Sequence, residues 1–188
     1  LEAMDETAAN WPVAAWKTYT QHGPKDTGYY LDDELGQHFL DKVRKTGIKR
    51  LAVHKGLPFL QYTENLRYAS SRDVGPAATA NPDITFMIYH SGYDMRVPEG
   101  AYSRDSGSGV DDLINSLTDS GISATDQKNV YAEIGSTWRY LMRDPDQAAH
   151  VMGKLLKYVG EDRVLWGTDS IWYGSPQDQI MAFRAFQI

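Results

Sequence analysis

The feature that most constrains the fold of this chain is a regular alternation of short apolar segments with segments of helical pattern. Five segments have the length and apolar content of strands, and they cover Pro12 to Thr20, Arg50 to His54, Ile84 to His90, Val130 to Gly135 and Arg163 to Gly167. Each is followed by a stretch with helical features. Strands joined in this way run parallel, because each helix returns the chain across the sheet. The sequence therefore predicts an α/β fold with a parallel sheet.

The predicted helices begin and end at recognisable residues. The first helix after a strand starts at Asp32 or Asp33 as its cap and runs to Lys45, and Gly47 follows at the position of a C-cap. Further helices are predicted over 72–80, 110–117 and 144–159, and from Ser175-Pro176 onward. Because no linker or low-complexity tract divides the chain, we expect residues 1–188 to form a single domain.

Composition excludes several classes of function. The 19 Lys and Arg residues against 25 Asp and Glu residues give a net charge of −6, which argues against a nucleic-acid partner. No apolar run reaches the roughly 18 residues of a membrane span, and no signal peptide is visible. We therefore expect no membrane association and a cytoplasmic protein, and homo-oligomerisation is left open. The chain has no Cys, so any metal must be held by His or by oxygen ligands.

One ionisable residue stands at or near the C-terminal end of each predicted strand. In chain order these residues are Lys17, His54, His90, Glu133 and Asp169. Successive members are separated by 36 to 43 residues, which is the size of one βα unit. The carboxyl ends of parallel strands meet at one edge of the sheet, where ligands bind in α/β folds. We therefore expect these five side chains to lie close together.

Side-chain alternation supports this placement for the third strand. Ile84, Phe86, Ile88 and His90 are expected to share one face of that strand. Two imidazoles and one carboxylate suit a divalent cation such as Zn²⁺. A carboxylate beside a metal-bound water can also accept a proton from it.

Taken singly, the same residues have simpler explanations. A His at a strand end is often a hydrogen-bonded structural residue. Lys17 could be solvated or salt-bridged, Glu133 could pair with a neighbouring cation, and Asp169 could be a helix N-cap. From the residues alone, the metal or catalytic site and these structural roles stay open.

A resemblance to a known family is carried by segments that occur in one order along nearly the whole chain. They are WKTYTQHGP (16–24), GYYLDDELG (28–36), HKGLPFL (54–60), RDVGPAATANPDITFMIYHSG (72–92), NVYAEIGSTW (129–138) and VLWGTDSIWYGSPQDQI (164–180). Together they resemble the amidohydrolase-related, metal-dependent hydrolases of the TIM-barrel fold. That branch also contains the aminocarboxymuconate-semialdehyde and resorcylate-type decarboxylases.

The resemblance implies a (β/α)₈ barrel that binds one or two divalent cations at its C-terminal face. His54 matches the fifth-strand His ligand, His90 the sixth-strand His, and Asp169 the eighth-strand Asp that ligates and accepts the proton. In mononuclear members the sixth-strand His often contacts substrate or the activated water instead of the metal. Lys17 falls at the fourth strand, where binuclear relatives carry a carboxylated lysine that bridges two metals.

The sequence departs from the family in one respect. The family places a His-x-His pair on the first strand, and this sequence contains no such pair. The fold typically needs about 200–250 residues. We therefore expect a TIM (β/α)₈ barrel of which this chain holds strands four to eight, as the C-terminal part of a longer enzyme. On that expectation His54, His90 and Asp169 alone make a poor cation site.

The activity implied by the resemblance is that of a metal-dependent hydrolase acting on a small-molecule substrate, with Zn²⁺ as the favoured cation and Mn²⁺ or Fe²⁺ as alternatives. Asp169 and His90 are expected to be catalytic, and His54, Asp169 and His90 to bind the metal. The residues expected to contact the substrate are Lys17, Glu133, Trp138 and Trp172. Two alternatives are a non-oxidative decarboxylase (a lyase) of aromatic or unsaturated carboxylates, and a catalytically incomplete barrel remnant that only binds a ligand.

Overall fold

The computed structural model describes residues 1–61, 63–125 and 129–187. Within these ranges the strands are Trp16–Tyr19 (β1), Arg50–His54 (β2), Thr85–Tyr89 (β3), Val130–Glu133 (β4) and Val164–Leu165 (β5). They form one sheet in the order β1-β2-β3-β4-β5, and every neighbouring pair is parallel. The predicted α/β fold is therefore confirmed. Parallel strands in chain order with helices between them are the arrangement of consecutive strands in a TIM barrel.

Eight α-helices flank or connect the strands in the same ranges. They are Glu2–Asn10 (α1), Glu34–Lys45 (α2), Val74–Ala80 (α3), Gly109–Asp119 (α4), Gly135–Leu141 (α5), Pro145–Tyr158 (α6), Ser170–Tyr173 (α7) and Gln177–Ala185 (α8). Short 3₁₀ turns cover Pro24–Asp26, Thr63–Ala69, His90–Gly92 and Glu161–Arg163. None of the helices described has the length and apolar character needed to cross a membrane.

One of the two N-caps expected for the first predicted helix is confirmed, whereas the last helix begins at Gln177 with Pro176 and not Ser175 as its N-cap. Asp33 is the N-cap of α2, where its side chain accepts a hydrogen bond from the Gly36 amide at 2.8 Å. Asp144 caps α6 in the same way through the Gln147 amide at 3.1 Å.

Three helices were not predicted, namely α1, α5 and α7. The last two are 7 and 4 residues long, which is too short for a helical periodicity to be visible.

The core lies between the sheet and its helices. In β3, Phe86 and Ile88 are fully buried, and they belong to one apolar cluster with Leu40 of α2 and Leu113 of α4.

The end of β3 corrects one expectation. The strand was expected to reach His90, but it ends at Tyr89, and His90 begins a 3₁₀ turn. Strand alternation therefore does not determine where that residue's side chain points.

The register of the sheet aligns the C-terminal ends of the strands. Tyr19 pairs with His54, His54 with Tyr89, Tyr89 with Glu133, and Glu133 with Leu165. These five residues form one row across the sheet. The residues that follow them therefore leave the sheet at the same edge, which brings together segments far apart in sequence.

Candidate active site

A cavity of about 670 Å³ opens at this edge of the sheet. It is lined by five of the residues predicted from the sequence, which are Lys17, His54, His90, Asp169 and Trp172. Aromatic side chains supply much of the remaining wall, and they are Tyr19, Phe59, Tyr89, Tyr140 and Tyr173. The volume and the mixture of an apolar wall with a few polar groups are typical of a small-molecule site.

The two histidines predicted to belong to the site, His54 and His90, form a hydrogen-bonded pair in the cavity wall. Nε2 of His90 lies 3.1 Å from Nδ1 of His54, and Nε2 of His54 lies 3.1 Å from the carbonyl oxygen of Leu57. The His54 ring stacks on Phe59 with 4.8 Å between centroids. Burial, and next the neighbouring His90, lower the pKa of His54 to about 3. Burial, and next Lys17, lower the pKa of His90 to about 3. Both imidazoles are therefore neutral near pH 7.

The backbone at His90 is held in an unusual conformation. His90 has φ +70° and Ser91 has φ +52°, in the left-handed region that non-glycine residues rarely adopt. The last residue of β4 and the helix that follows it hold this turn. The Thr137 hydroxyl donates to the His90 carbonyl at 2.8 Å, and the Ser91 hydroxyl donates to the Glu133 carbonyl at 2.8 Å. The His90 amide also donates to Glu133 Oε2 at 3.3 Å. The position of the His90 ring thus depends on residues of a neighbouring strand.

Asp169 lies on the opposite side of His90 from His54. Its Oδ2 is 3.7 Å from His90 Nδ1, and it accepts a hydrogen bond of 2.6 Å from the Ser136 hydroxyl. The same hydroxyl contacts the Tyr173 hydroxyl at 3.0 Å. Asp169 occupies the N-cap position of α7 with φ +49°, but its side chain makes no capping bond within the described residues. The geometry therefore favours a role toward the cavity over a role as a helix cap.

Lys17 is the cation of the cavity wall. Its ammonium group lies 3.3 Å from the centroid of the Tyr89 ring and 5.2 Å from that of Tyr19. Burial lowers the pKa of Lys17 to about 8, although Glu133 and Asp169 oppose the shift. The side chain therefore remains mostly protonated at pH 7, without an ion-pair partner within 4 Å in the described ranges.

The three other residues predicted to contact the substrate, Glu133, Trp138 and Trp172, differ from one another in their position. Glu133 is buried at the end of β4, outside the cavity wall described above, and burial raises its pKa to about 7. Trp138 is 1% exposed, and its indole N–H donates to the Gln179 carbonyl at 3.0 Å in the core. Its position is therefore one of packing and not of substrate contact. Trp172 is 74% exposed at the mouth of the cavity.

The donor types present are those that a divalent cation takes, but their arrangement does not complete a cation site. Across residues 1–61, 63–125 and 129–187, no group of three His, Asp or Glu side chains is placed to hold an ion. Both ring nitrogens of His54 are hydrogen-bonded, whereas Nδ1 of His90 is buried without a hydrogen-bond partner among the described atoms. The described residues therefore offer pairs of donors, and a full set needs further ligands or a rearrangement.

Sequence reasoning missed several residues of the site. Ser136 donates a hydrogen bond to the carboxylate of Asp169, and Tyr19, Phe59 and Tyr140 line the cavity. Ser136 follows Glu133 by three residues in the segment that resembles the family, so its proximity to the same edge was a usable signal. The aromatic residues carry no such signal, because an aromatic side chain in a sequence is more often part of the core.

Comparisons with known proteins agree with this architecture. The family model described as Amidohydrolase matches residues 13–185. No curated protein and no solved structure gives a significant match. Members of this TIM-barrel family generally bind divalent metals and include hydrolases and lyases. The family match covers nearly all of the sheet and its helices, and the chain therefore belongs to the amidohydrolase family.

Proposed function

We propose that this chain is the catalytic half of a hydrolase that cleaves a C–N or C–O bond of a small molecule, with Asp169 as the proton acceptor. The observation that carries the proposal is the position of the Asp169 carboxylate in the cavity wall, 3.7 Å from His90 Nδ1 and hydrogen-bonded by Ser136 at 2.6 Å. A carboxylate so fixed can take a proton from an attacking water and pass it to the leaving group.

His90 and Lys17 have different tasks in this proposal. Nδ1 of His90 has no partner among the described atoms, so it is available to orient a water beside Asp169. Lys17 presents a protonated amine against an aromatic wall. That combination suits an anionic group attached to a planar or apolar body. The expected substrate is therefore a small acid whose ring or chain packs against Tyr89 and Tyr19.

We also propose that a divalent cation, Zn²⁺ in preference to Mn²⁺ or Fe²⁺, completes the active enzyme. Among the described residues, His54, His90 and Asp169 offer only part of a ligand set. The remaining ligands would come from strands that precede these five in a longer chain. When bound, such an ion lowers the pKa of a water ligand toward neutrality.

The test is a comparison of hydrolysis by the full-length protein and by Asp169→Asn. Asparagine keeps the shape of the side chain but cannot accept the proton. We expect turnover of aryl esters, amides or lactones to fall by about 10²–10⁴-fold. Asp178→Asn, at an exposed position of α8, is the matched control and should retain full activity. Undiminished turnover by Asp169→Asn would remove Asp169 from the mechanism.

A decarboxylase is the second candidate, and the pairing of Lys17 with Tyr89 favours it. In that reaction Lys17 would hold the substrate anion, and Asp169 would move the proton that replaces CO₂. Release of CO₂ from aromatic carboxylates, measured beside ester and lactone hydrolysis, separates the two activities. If neither reaction occurs and the purified protein holds less than about 0.1 equivalent of metal after reconstitution, a ligand-binding remnant is the better description.

A further inference from the structure

The cavity wall that follows β2 contains a segment of irregular backbone, residues 57–61. All five of its residues line the cavity, and none of them belongs to a helix or a strand. Such a segment has no ladder of main-chain hydrogen bonds, so its shape depends on individual contacts. Two contacts hold its main chain. The Leu57 amide donates to the Tyr93 carbonyl at 2.6 Å, and the Phe59 amide donates to Oε1 of Gln21 at 2.9 Å.

Gln21 is itself firmly held in the protein. It follows the end of β1 by two residues and is 1% exposed. Its carbonyl accepts a hydrogen bond of 3.0 Å from the Asn65 side chain, and the neighbouring Thr20 hydroxyl donates to the Tyr68 carbonyl at 2.7 Å. Nε2 of Gln21 is buried without a hydrogen-bond partner among the described atoms. The bond from the Phe59 amide is therefore the polar contact that orients this side chain, and because an amide N–H can only donate, the atom facing it must be the oxygen.

The residue anchored by Gln21 carries the aromatic ring of the segment. The Phe59 ring stacks on that of His54 with 4.8 Å between centroids, and it lies 5.7 Å from the Tyr19 ring. The Tyr19 ring in turn lies 5.2 Å from the Lys17 ammonium group. An anion that pairs with Lys17 can therefore lay its body over Tyr19 and reach Phe59. A planar body gains stacking energy there that a saturated body of equal size does not.

We propose that Phe59 determines how tightly the body of the substrate is held, and that Gln21 is a positioning residue that acts through Phe59. Without the Gln21 oxygen the Phe59 amide loses its acceptor, and the middle of segment 57–61 is no longer held beside the Tyr19 ring. The proposal rests on the proposed function in one respect, because it takes the substrate to be a small acid bound in this cavity. It does not depend on the chemical step that follows binding.

The test is isothermal titration calorimetry of the full-length protein with two acids of equal heavy-atom count, benzoate and cyclohexanecarboxylate. In Phe59→Leu we expect the Kd of benzoate to rise by about 3–10-fold and that of cyclohexanecarboxylate by less than about twofold. Gln21→Met keeps the length of the side chain but removes the acceptor, so it should show the same selectivity. Gln21→Glu keeps an acceptor oxygen in either protonation state and should restore benzoate binding. Gln37→Met is the matched control, because the half-buried Gln37 donates to the Leu31 carbonyl away from the cavity wall.

A double variant separates positioning from a general effect on folding. In the Phe59→Leu background, Gln21→Met should add no further loss of benzoate affinity, because the ring through which it acts is already absent. A further loss for both acids would make Gln21 a purely structural residue and would overturn the proposal. Equal weakening of both acids in Phe59→Leu, or no binding of benzoate by the unaltered protein, would overturn it as well. Retained turnover by Asp169→Asn together with the selective loss of benzoate would instead overturn the proposed function alone.

Discussion

Replacing Glu133 with glutamine is expected to steepen the pH dependence of stability between pH 5 and pH 6.5. Glu133 is buried with its pKa raised to about 7 from a usual 4.5. A raised carboxyl pKa contributes stability below pH 4.5, and that contribution is lost as the pH rises through 7. The depressed pKa values of His54 and His90, about 3 against a usual 6.5, act in the opposite direction. Their contribution is complete above pH 6.5 and is lost as the pH falls toward 3.

The size of the effect follows from proton counts near the middle of that window. There the unfolded chain binds nearly one proton on each histidine and the folded chain almost none, whereas the folded chain alone retains a proton on Glu133. At about 1.4 kcal/mol per proton and pH unit, the two histidines raise the free energy of unfolding by about 2–3 kcal/mol per pH unit. Glu133 offsets about 1 kcal/mol of this. The slope should therefore roughly double in Glu133→Gln.

The measurement is urea unfolding of the metal-free protein, followed by tryptophan fluorescence at half-unit steps from pH 5.0 to 6.5. The slope is compared with that of Glu161→Gln, a control at an exposed glutamate. Glutamine also replaces an acceptor of the His90 and Gly135 amides, so absolute stability will shift at every pH. Only the change in the free energy of unfolding with pH reports whether Glu133 carries a proton. Parallel curves for the unaltered protein and Glu133→Gln would refute a protonated carboxyl at this position.

Three further changes test other parts of the structure. His54→Phe should reduce the same pH slope by about 1 kcal/mol per pH unit, since one buried neutral imidazole is removed; an unchanged slope contradicts the burial argument. Gly56→Ala should lower the free energy of unfolding by about 1–3 kcal/mol through backbone strain and crowding. Asp73→Ala leaves the fully buried Lys55 ammonium unpaired and should cost about 3–5 kcal/mol in urea unfolding. Asp83→Ala, which breaks a surface ion pair with Arg44, is the control for Asp73→Ala and should cost less than about 1 kcal/mol.

The fold was predictable because its pattern is repeated. Five apolar segments alternate with capped helices, and caps such as Asp33 and Asp144 act locally, so that each βα unit can be recognised alone. Segments without a repeating pattern were not predictable. The short helix α5 directly follows β4, and β5 spans only two residues where five were expected. There, contacts with distant segments determine the structure, and a local pattern does not reveal them.

The sequence indicated which edge of the sheet the site residues share, but not their geometry. The spacing of Lys17, His54, His90, Glu133 and Asp169 pointed to one edge of the sheet. Four of them line the cavity, whereas Glu133 is buried outside its wall. The ring contacts could not be inferred, because His90 and Asp169 lie beyond the ends of their strands in left-handed conformations. Such conformations depend on hydrogen bonds from residues far away in the sequence, such as that from the Thr137 hydroxyl to the His90 carbonyl.

The segment 133–137 organises the site although most of it faces neither solvent nor substrate. Left-handed backbone at His90, Ser91 and Asp169 costs on the order of 1–3 kcal/mol per residue. A single hydrogen bond contributes only about 1 kcal/mol net, so no one contact can hold the His90 turn. The segment supplies three hydrogen bonds to that turn and a fourth to the Asp169 carboxylate. Because the strained residues and their supports come from different βα units, the site exists only when neighbouring strands are paired in register. Loss of that pairing would therefore release the His90 and Asp169 side chains from their supports.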